Sequence, residues 1–314
     1  PLAAQAYQSA SLIVEALQKG ADIVLTSRAG DATQFLTPLI HEFNWPIDDW
    51  NLMGKGLGLG HLMECAGQIS GGYYADPGRK DVPNLAHIGF PIAEVQPNGN
   101  ALISKLPGTG GEVSEQTCRE QLLYELHNPG DYKHNDGVVD FTTTEFYQTG
   151  PDQVLVTGTT GHPRPETVKI FVGVSEGFTA VGRICYGGTG AFSRAKLASD
   201  IVTERMSSLY GVSSSNLQFD FIGVNALYPW KIGVDPSLLK EVELRISGYF
   251  ENWDQAMELL HEVEHLSNNG PFGLSMGMRL DYQSGPDKVV GLYTTFLPQE
   301  NIQYQACEAV VGIK

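Results

Sequence analysis

The chain has 314 residues, of which 42% are hydrophobic and 36 are glycine, values typical of a globular protein with a sizeable core. Its 36 acidic residues exceed its 20 basic ones, which leaves a formal charge of −16 at pH 7. Nucleic acids require clustered Lys and Arg, so this balance argues against a nucleic-acid partner, and an acidic surface is repelled by anionic membranes. An anionic substrate would bind only where local dipoles and a few well-placed cations outweigh the repulsion from this net negative charge.

No apolar run approaches the length of a membrane-spanning segment. The cysteines lie far apart and form no C-x-x-C pair, so we expect reduced thiols and a cytoplasmic protein. The sequence leaves a homo-oligomer open. The cysteines are Cys65, Cys118, Cys185 and Cys307.

The beginning of the chain predicts a layered α/β arrangement. Apolar residues at helical spacing predict one helix over Tyr7–Lys19, ended by Gly20, and another over Asp31–Phe43. Between them, Ala21–Thr26 predicts a buried strand. Since the chain starts inside this helix–strand–helix pattern, we expect preceding βα units to be lacking.

The middle of the chain predicts antiparallel sheet. Between Asn84 and Cys185, short runs rich in Val, Ile, Thr and Phe alternate with turn residues. The dipeptide Asn98-Gly99 predicts a hairpin, and a helix over Ser114–Leu126 interrupts the strands. The predicted strands are Ala101–Ser104, Val138–Phe141, Gln153–Thr157, Thr167–Val174 and Phe178–Cys185.

The C-terminal part predicts mixed helices and strands after Ser193. In the strand predicted over residues 241–250, Val242, Leu244 and Ile246 alternate with charged residues, so one face of this strand should be exposed to solvent. We expect a mixed α/β (α+β) fold, with one domain over residues 1–192 and an α+β domain over residues 193–314. The predicted elements cover residues 193–210, 217–224, 241–250, 253–267, 274–281 and 288–297.

Three glycine-rich segments lead directly into predicted helices. A helix N-terminus leaves unpaired N–H groups with a partial positive charge, and preceding glycines let the backbone close around an anion. Glycine also serves ordinary turns, which is the alternative. Phosphate or carboxylate would bind through Gly58 and Gly60, through Gly108, Thr109, Gly110 and Gly111, and through Gly188, Thr189 and Gly190.

Arg28 and Asp31 lie between the predicted strand and the following helix, where ligands bind in open α/β sheets. Arg28 could bind a carboxylate or phosphate, and Asp31 could act as a base. The alternative is an Asp31 N-cap with Arg28 paired to it.

His61 and Glu64 lie three residues apart at the start of a predicted helix and therefore share a face. They are candidates for proton transfer, with Cys65 and Gln68 beside them. They are too few ligands for a metal site, and a polar helix face with a capping contact is the alternative interpretation.

The segment His261-Glu262-x-x-His265 matches the zinc-protease pattern H-E-x-x-H. Both histidines would share a helix face, with the glutamate free to polarise water. The sequence that follows lacks the third histidine of one zincin branch, and the surrounding helix is rich in acidic residues, which weakens a zinc site.

Several of these segments together resemble the acyclic terpene utilisation (AtuA-like) family, in family order over most of the chain. From this resemblance we expect the family's N-terminal segment, with its own glycine-containing loop, to be lacking here, and we do not expect the family to share both His261 and His265. The matching residues are Ala21–Val24, Arg28, Asp31-Ala32, Gly60–Cys65, Gln68, Gly71-Gly72, Gly89–Val95, Lys105, Pro107–Gly111, Glu120–Glu125, Asp140–Thr142 and Asn269–Pro271.

The resemblance implies degradation of citronellol-type terpenoids through acyl-CoA intermediates, without an agreed chemistry or catalytic residues. We therefore expect an enzyme acting on a carboxylate or acyl-CoA substrate, in a hydratase or lyase step. Asp31, His61 and Glu64 would transfer protons, and Arg28 with the glycine segments would hold anionic groups. No cofactor is evident, although CoA would enter as part of the substrate. The alternatives are a non-catalytic subunit or ligand-binding protein and, third, a zinc-dependent hydrolase.

Overall fold

The computed structural model describes residues 1–228, 235–275 and 285–303. Within these ranges the chain forms six α-helices and three β-sheets, which confirms the predicted mixed α/β class. The helices in these ranges are too short or too polar to cross a lipid bilayer. The chain divides into two compact units. The N-terminal unit comprises residues 4–171 with the chain from residue 294, and the C-terminal unit comprises residues 172–293 with residues 1–3.

The helices of the N-terminal unit begin and end at residues suited to those positions. Ser9 caps the first helix through the N–H of Ser11, and Ser114 and Thr117 form a reciprocal capping box on the fourth. Asn44 ends the second helix in the left-handed conformation. The helices are α1 (Ala10–Gln18), α2 (Thr33–Phe43), α3 (Trp50–Met63) and α4 (Glu115–Leu123).

Helix α3 is the centre of this unit, and its glycines allow close packing on two sides. A Cβ at Gly54 would lie 2.4 Å from the Thr160 carbonyl oxygen, and one at Gly60 would lie 2.5 Å from the Ala32 carbonyl oxygen. The prediction of a glycine loop at residues 56–60 is therefore wrong. Gly58 and Gly60 lie inside a helix, where their N–H groups are internal and the missing side chains let neighbouring backbones approach.

Two antiparallel sheets complete the N-terminal unit. The Asn98-Gly99 hairpin is confirmed, since Val95 pairs with Ala101 and Gly99 has a φ of 81°. The first sheet has the order β2-β3-β7-β6, with β2 (Pro91–Val95), β3 (Ala101–Lys105), β6 (Glu145–Gly150) and β7 (Gln153–Thr157). The second has the order β4-β5-β8, with β4 (Tyr132–His134), β5 (Gly137–Asp140) and β8 (Thr160–His162).

The predicted strand Ala21–Thr26 is not formed. Ile23 and Leu25 are 87% and 96% exposed, and the nearest β-type pairing is an isolated parallel bridge between Gln8 and Ala29. An apolar run becomes a strand only where another strand pairs with it. In the described residues none does so here. Instead, α1 packs against α2 and α2 against α3, and α3 packs against the sheet β4-β5-β8.

The C-terminal unit is a two-layer α/β structure with helices over an antiparallel sheet. Val242, Leu244 and Ile246 are buried against the helices, which confirms the predicted alternation. The predicted strands Thr167–Val174 and Phe178–Cys185 are one long strand. The elements are β9 (Thr167–Gly187), α5 (Ala191–Tyr210), β10 (Leu217–Ile222), β11 (Glu241–Phe250), α6 (Trp253–Asn269) and β12 (Leu274–Ser275), with β1 (Ala3–Ala6) and β13 (Asp287–Pro298) in the same sheet.

The division between the units lies within β9, after Phe171, rather than at the boundary expected after residue 192. Residues 178–187 of β9 pair with β11 and so belong with the C-terminal sheet. Part of the predicted strand 274–281 lies outside the described residues.

Candidate functional site

A group of buried and partly buried polar side chains gathers where α3 ends in the N-terminal unit. His61 and Glu64 come from the end of α3, Gln121 from α4, and Tyr132 and His134 from β4. We refer to these five residues as the His61 cluster. They come from three separate segments, and the packing of α3 against α4 and the β4-β5-β8 sheet brings them together.

His61 has one nitrogen committed to the backbone and one without a hydrogen bond. Its side chain is 1% exposed, and Nε2 donates to the Leu122 carbonyl oxygen at 3.0 Å. Because a carbonyl only accepts, Nε2 carries a proton. Nδ1 lies 3.5 Å from Glu64 Oε1 and has no partner with hydrogen-bond geometry. Nδ1 is therefore the nitrogen that can gain or lose a proton, and a carboxyl group stands beside it.

Tyr132 and His134 extend the cluster, and neither was among the residues predicted from the sequence. The Tyr132 ring lies 5.1 Å from the His61 ring and 4.7 Å from the His134 ring, measured between centroids. The one signal in the sequence was the alternation of β4, which places positions 132 and 134 on the same face of the strand. A strand of three residues is too short to show a clear alternation of buried and exposed positions.

Burial sets the protonation states of these two side chains. Burial raises the pKa of Tyr132 to about 12, helped by the negative charges of Glu64, Glu125 and Asp31. Burial also lowers the pKa of His134 to about 4, helped by His61. Near neutral pH the cluster thus presents a protonated phenol and a neutral imidazole. The Nε2 of His134 is buried and has no hydrogen-bond partner.

Arg28 and Asp31 pair with each other at the edge of this cluster. Arg28 Nη2 lies 3.2 Å from Asp31 Oδ2, and both side chains are about half exposed. A hydrogen bond to Tyr7 raises the pKa of Arg28, and the charges of Asp31 and Glu64 act in the same direction. Asp31 does not cap α2, whose N-cap is Ala32. Arg28 therefore interacts electrostatically both with Asp31 and with Glu64 of the His61 cluster.

The cluster holds polar atoms that no protein group satisfies. Besides the free nitrogens of His61 and His134, Gln121 Oε1 is buried without a partner, while its Nε2 donates to the His61 carbonyl oxygen at 3.0 Å. Buried polar groups are normally hydrogen-bonded, so such a concentration indicates a place for water or a ligand. Ala66 and Glu125 have φ values of 50° and 56°, a strained conformation that is frequent near functional sites.

The second glycine segment packs against the backbone with most of its N–H groups occupied. The N–H groups of Thr109, Gly110 and Gly111 donate to carbonyl oxygens at 3.3, 2.8 and 2.8 Å. A Cβ on Gly110 would lie 1.8 Å from the Asn84 carbonyl oxygen. Gly108 has a φ of 79° and forms the turn. The expected helix does follow, since α4 begins after this segment, but these three N–H groups do not face a ligand.

The third glycine segment belongs to the C-terminal unit and opens into α5. Gly188 and Gly190 have left-handed φ values, and the Gly188 N–H donates to the Lys240 carbonyl oxygen at 2.6 Å. Arg194 Nη1 donates to the Thr189 carbonyl oxygen at 2.9 Å, and Lys240 Nζ donates to the Thr189 hydroxyl at 3.1 Å. Among the described residues, nothing accepts from the N–H groups of Thr189 and Gly190. This segment therefore combines two cations with free N–H groups.

The H-E-x-x-H match does not have the arrangement of a zinc site. Glu262 is 1% exposed and accepts hydrogen bonds from Arg205 Nη2 at 3.0 Å and from the Tyr210 hydroxyl at 3.1 Å. Burial opposes its ionisation, but the bonds from Arg205 and Tyr210 outweigh burial and lower the pKa of Glu262. His261 and His265 lie on the half-exposed part of the helix. In the parts of the chain that the structure describes, no three His, Cys, Asp or Glu side chains are placed to hold a metal. The carboxylate that would polarise water is already bound to arginine.

The described cysteines are free thiols, as expected; Cys307 lies outside the described residues. Burial raises the pKa of the Cys65, Cys118 and Cys185 thiols, that of Cys118 to about 12. A thiol with a raised pKa is a poor nucleophile, so these residues serve packing.

The fold and the cluster define a mixed α/β protein with a buried histidine–carboxylate pair in its N-terminal unit. The family model described as acyclic terpene utilisation family protein AtuA matches residues 1–307. The chain therefore belongs to this family, as the sequence resemblance predicted. No match was found among curated proteins or among solved structures.

Proposed function

We propose that this protein is an enzyme of terpenoid-type catabolism that acts on an acyl-CoA or carboxylate substrate in a hydratase or lyase step. His61 and Glu64 would carry the chemistry, with Asp31 exchanging protons with solvent. The proposal is carried by one observation: a buried imidazole holds an unpaired Nδ1 3.5 Å from a carboxyl oxygen. Family membership supports the metabolic setting.

Such a pair suits the addition of water to a double bond conjugated to an acyl carbonyl. The water oxygen would bond to the β-carbon while one water proton passes to His61 Nδ1 and from there to the Glu64 carboxylate. Glu64 would then give this proton to the α-carbon, which restores both groups. The reverse sequence removes water, which is a lyase reaction. Nε2 would stay bonded to the Leu122 carbonyl oxygen and keep the ring oriented.

Arg28 would hold an anionic part of the substrate, and the third glycine segment, in the C-terminal unit, is proposed separately as a site for an anion such as a phosphate of CoA. Gly188, Thr189 and Gly190 are supported as anion ligands by the free N–H groups and by Arg194 and Lys240. The second segment could contribute only through Gly108, since its next three N–H groups are occupied. Gly58 and Gly60 serve helix packing and have no part in anion binding.

The test uses substitutions that keep the shape of each side chain. His61→Gln retains a donor for the Leu122 carbonyl oxygen but removes the basic Nδ1, and Glu64→Gln removes the ionisable group. Hydration of a branched 2-enoyl-CoA, followed by loss of the conjugated ultraviolet absorbance, should fall about 100-fold or more in each variant. His127→Gln, at an exposed position, is the control. Full activity in both variants, with unchanged melting temperatures, would refute the assignment.

A non-catalytic ligand-binding role is the second candidate, favoured by the unsatisfied atoms of the cluster, which would also bind a ligand without turnover. Thermal stabilisation by an acyl-CoA without any conversion of it would support this role.

A further inference from the structure

The His61 cluster is rich in negative charge and poor in available positive charge. Glu64 lies 3.5 Å from His61 Nδ1, and Glu125 and Asp31 also act on the Tyr132 phenol. The nearby cation, Arg28, is engaged by Asp31 at 3.2 Å and by Tyr7. A substrate carboxylate placed here would meet charges of its own sign.

The unpaired atoms of the cluster call for particular partners. Gln121 Oε1 only accepts, so it needs a donor such as water or a hydroxyl group. Tyr132 Oη and His134 Nε2 can donate to an oxygen. A carbonyl and a carboxylate both offer acceptors alone, so Gln121 Oε1 needs a water or hydroxyl group beside either of them. In the described part of the chain, no Lys or Arg side chain hydrogen-bonds to His61, Gln121, Tyr132 or His134.

We propose that Tyr132 and His134 bind the uncharged carbonyl end of the substrate, as in a thioester, and that the His61 cluster rejects a free carboxylate. This inference rests on the proposed function and narrows its substrate class. The acyl carbonyl oxygen accepts from Tyr132 Oη and His134 Nε2, while Gln121 Oε1 accepts from the water that is added or removed.

The protonation states support this assignment. The pKa of Tyr132, raised to about 12, keeps the phenol protonated, and the pKa of His134, lowered to about 4, keeps the imidazole neutral. With the proton of the neutral imidazole on Nε2, His134 is, like Tyr132, an uncharged donor, which suits an uncharged oxygen and gives a carboxylate no compensating charge.

Binding of a matched pair of probes tests the inference. The probes are the N-acetylcysteamine thioester of 3-methyl-2-butenoic acid and the free 3-methyl-2-butenoate anion, both without CoA. Affinity is measured by calorimetry and the site by ¹⁵N shifts of the histidine side chains. We expect the thioester to bind at least about tenfold more tightly than the anion and to shift the His61 and His134 signals.

Two variants sharpen the test, with His127→Gln as the control. Tyr132→Phe keeps the ring packed against both imidazoles and should weaken thioester binding about tenfold. Asp31→Asn removes the carboxylate that pairs with Arg28, which leaves this cation available to the anion. The ratio of the thioester affinity to the anion affinity should therefore become smaller in this variant. Equal or tighter binding of the anion by the wild type, no histidine shift with either probe, or an unchanged affinity in Tyr132→Phe would overturn the inference.

These outcomes are separable from the failure of the proposed function. If His61→Gln and Glu64→Gln keep full activity while the thioester preference holds, the catalytic assignment fails and the binding assignment stands. If the wild type hydrates free 3-methyl-2-butenoate and both variants lose that turnover, catalysis stands and the rejection of carboxylates is wrong.

Discussion

Acidification should destabilise the protein through His134. Burial, and then His61, lower the pKa of this imidazole from 6.5 to about 4. At about 1.36 kcal/mol per pH unit, the full shift corresponds to roughly 3 kcal/mol. The unfolded chain takes up the proton near pH 6.5 and the folded chain only near pH 4. The contribution of neutral His134 to the free energy of unfolding is therefore fully present above pH 6.5. It is lost as the pH falls towards 4.

The measurement is urea unfolding of wild type and His134→Gln between pH 7.5 and pH 5. Over this interval the linkage relation gives a loss of about 2 kcal/mol from His134 in the wild type. His134→Gln has no such group, so its free energy of unfolding should fall by about 2 kcal/mol less. Tryptophan fluorescence includes a signal from the N-terminal unit, where Trp45 is buried.

His127→Gln, at an exposed position, should follow the wild type across the same pH range. If wild type and His134→Gln lose stability in parallel, His134 is not held neutral by burial. The protonation state assigned to the cluster would then be wrong.

Three further predictions concern stability and are checked by chemical denaturation at pH 7. Asp136 is buried and accepts hydrogen bonds from the Ala10 N–H at 2.8 Å and from two hydroxyls. Asp136→Ala should therefore lower the free energy of unfolding by about 3 kcal/mol, and Asp136→Asn by clearly less. Equal losses in the two variants would contradict the hydrogen-bond argument. Gly54→Ala should lower the free energy of unfolding by about 2 kcal/mol or more, because the new Cβ meets the backbone of β8. In Gly187→Ala the new Cβ enters open space, so the free energy of unfolding should change by no more than about 0.5 kcal/mol. Similar losses in the two variants would refute the packing role of Gly54. Ala66→Gly should stabilise by about 0.5–1 kcal/mol by relieving a left-handed φ, and a loss of stability would show that this conformation is unstrained.

Local patterns predicted most regular elements correctly. The alternation along β11 and the helical spacing of α6 are properties of neighbouring residues, so they are legible in the sequence. The Asn98-Gly99 hairpin depends on the conformational preferences of two residues and was found for the same reason.

Patterns whose meaning depends on a distant partner were misread or incomplete. The run Ala21–Thr26 has the composition of a strand, but a strand needs a neighbour. The glycines of residues 56–60 resemble a loop because glycine suits loops, yet here they allow backbones to approach a helix. Glu262 matched a zinc motif until the structure placed Arg205 against it.

The sequence by itself determined the α/β class, the family and the proximity of His61 and Glu64, because each follows from residue types at short spacing. The predicted position of this pair at the start of a helix is wrong, since α3 ends there. Only the tertiary structure decided that Tyr132 and His134 join that pair and that Nδ1 of His61 has no hydrogen bond. Burial and unsatisfied hydrogen-bonding groups arise where separate segments meet, and no local pattern records such a meeting.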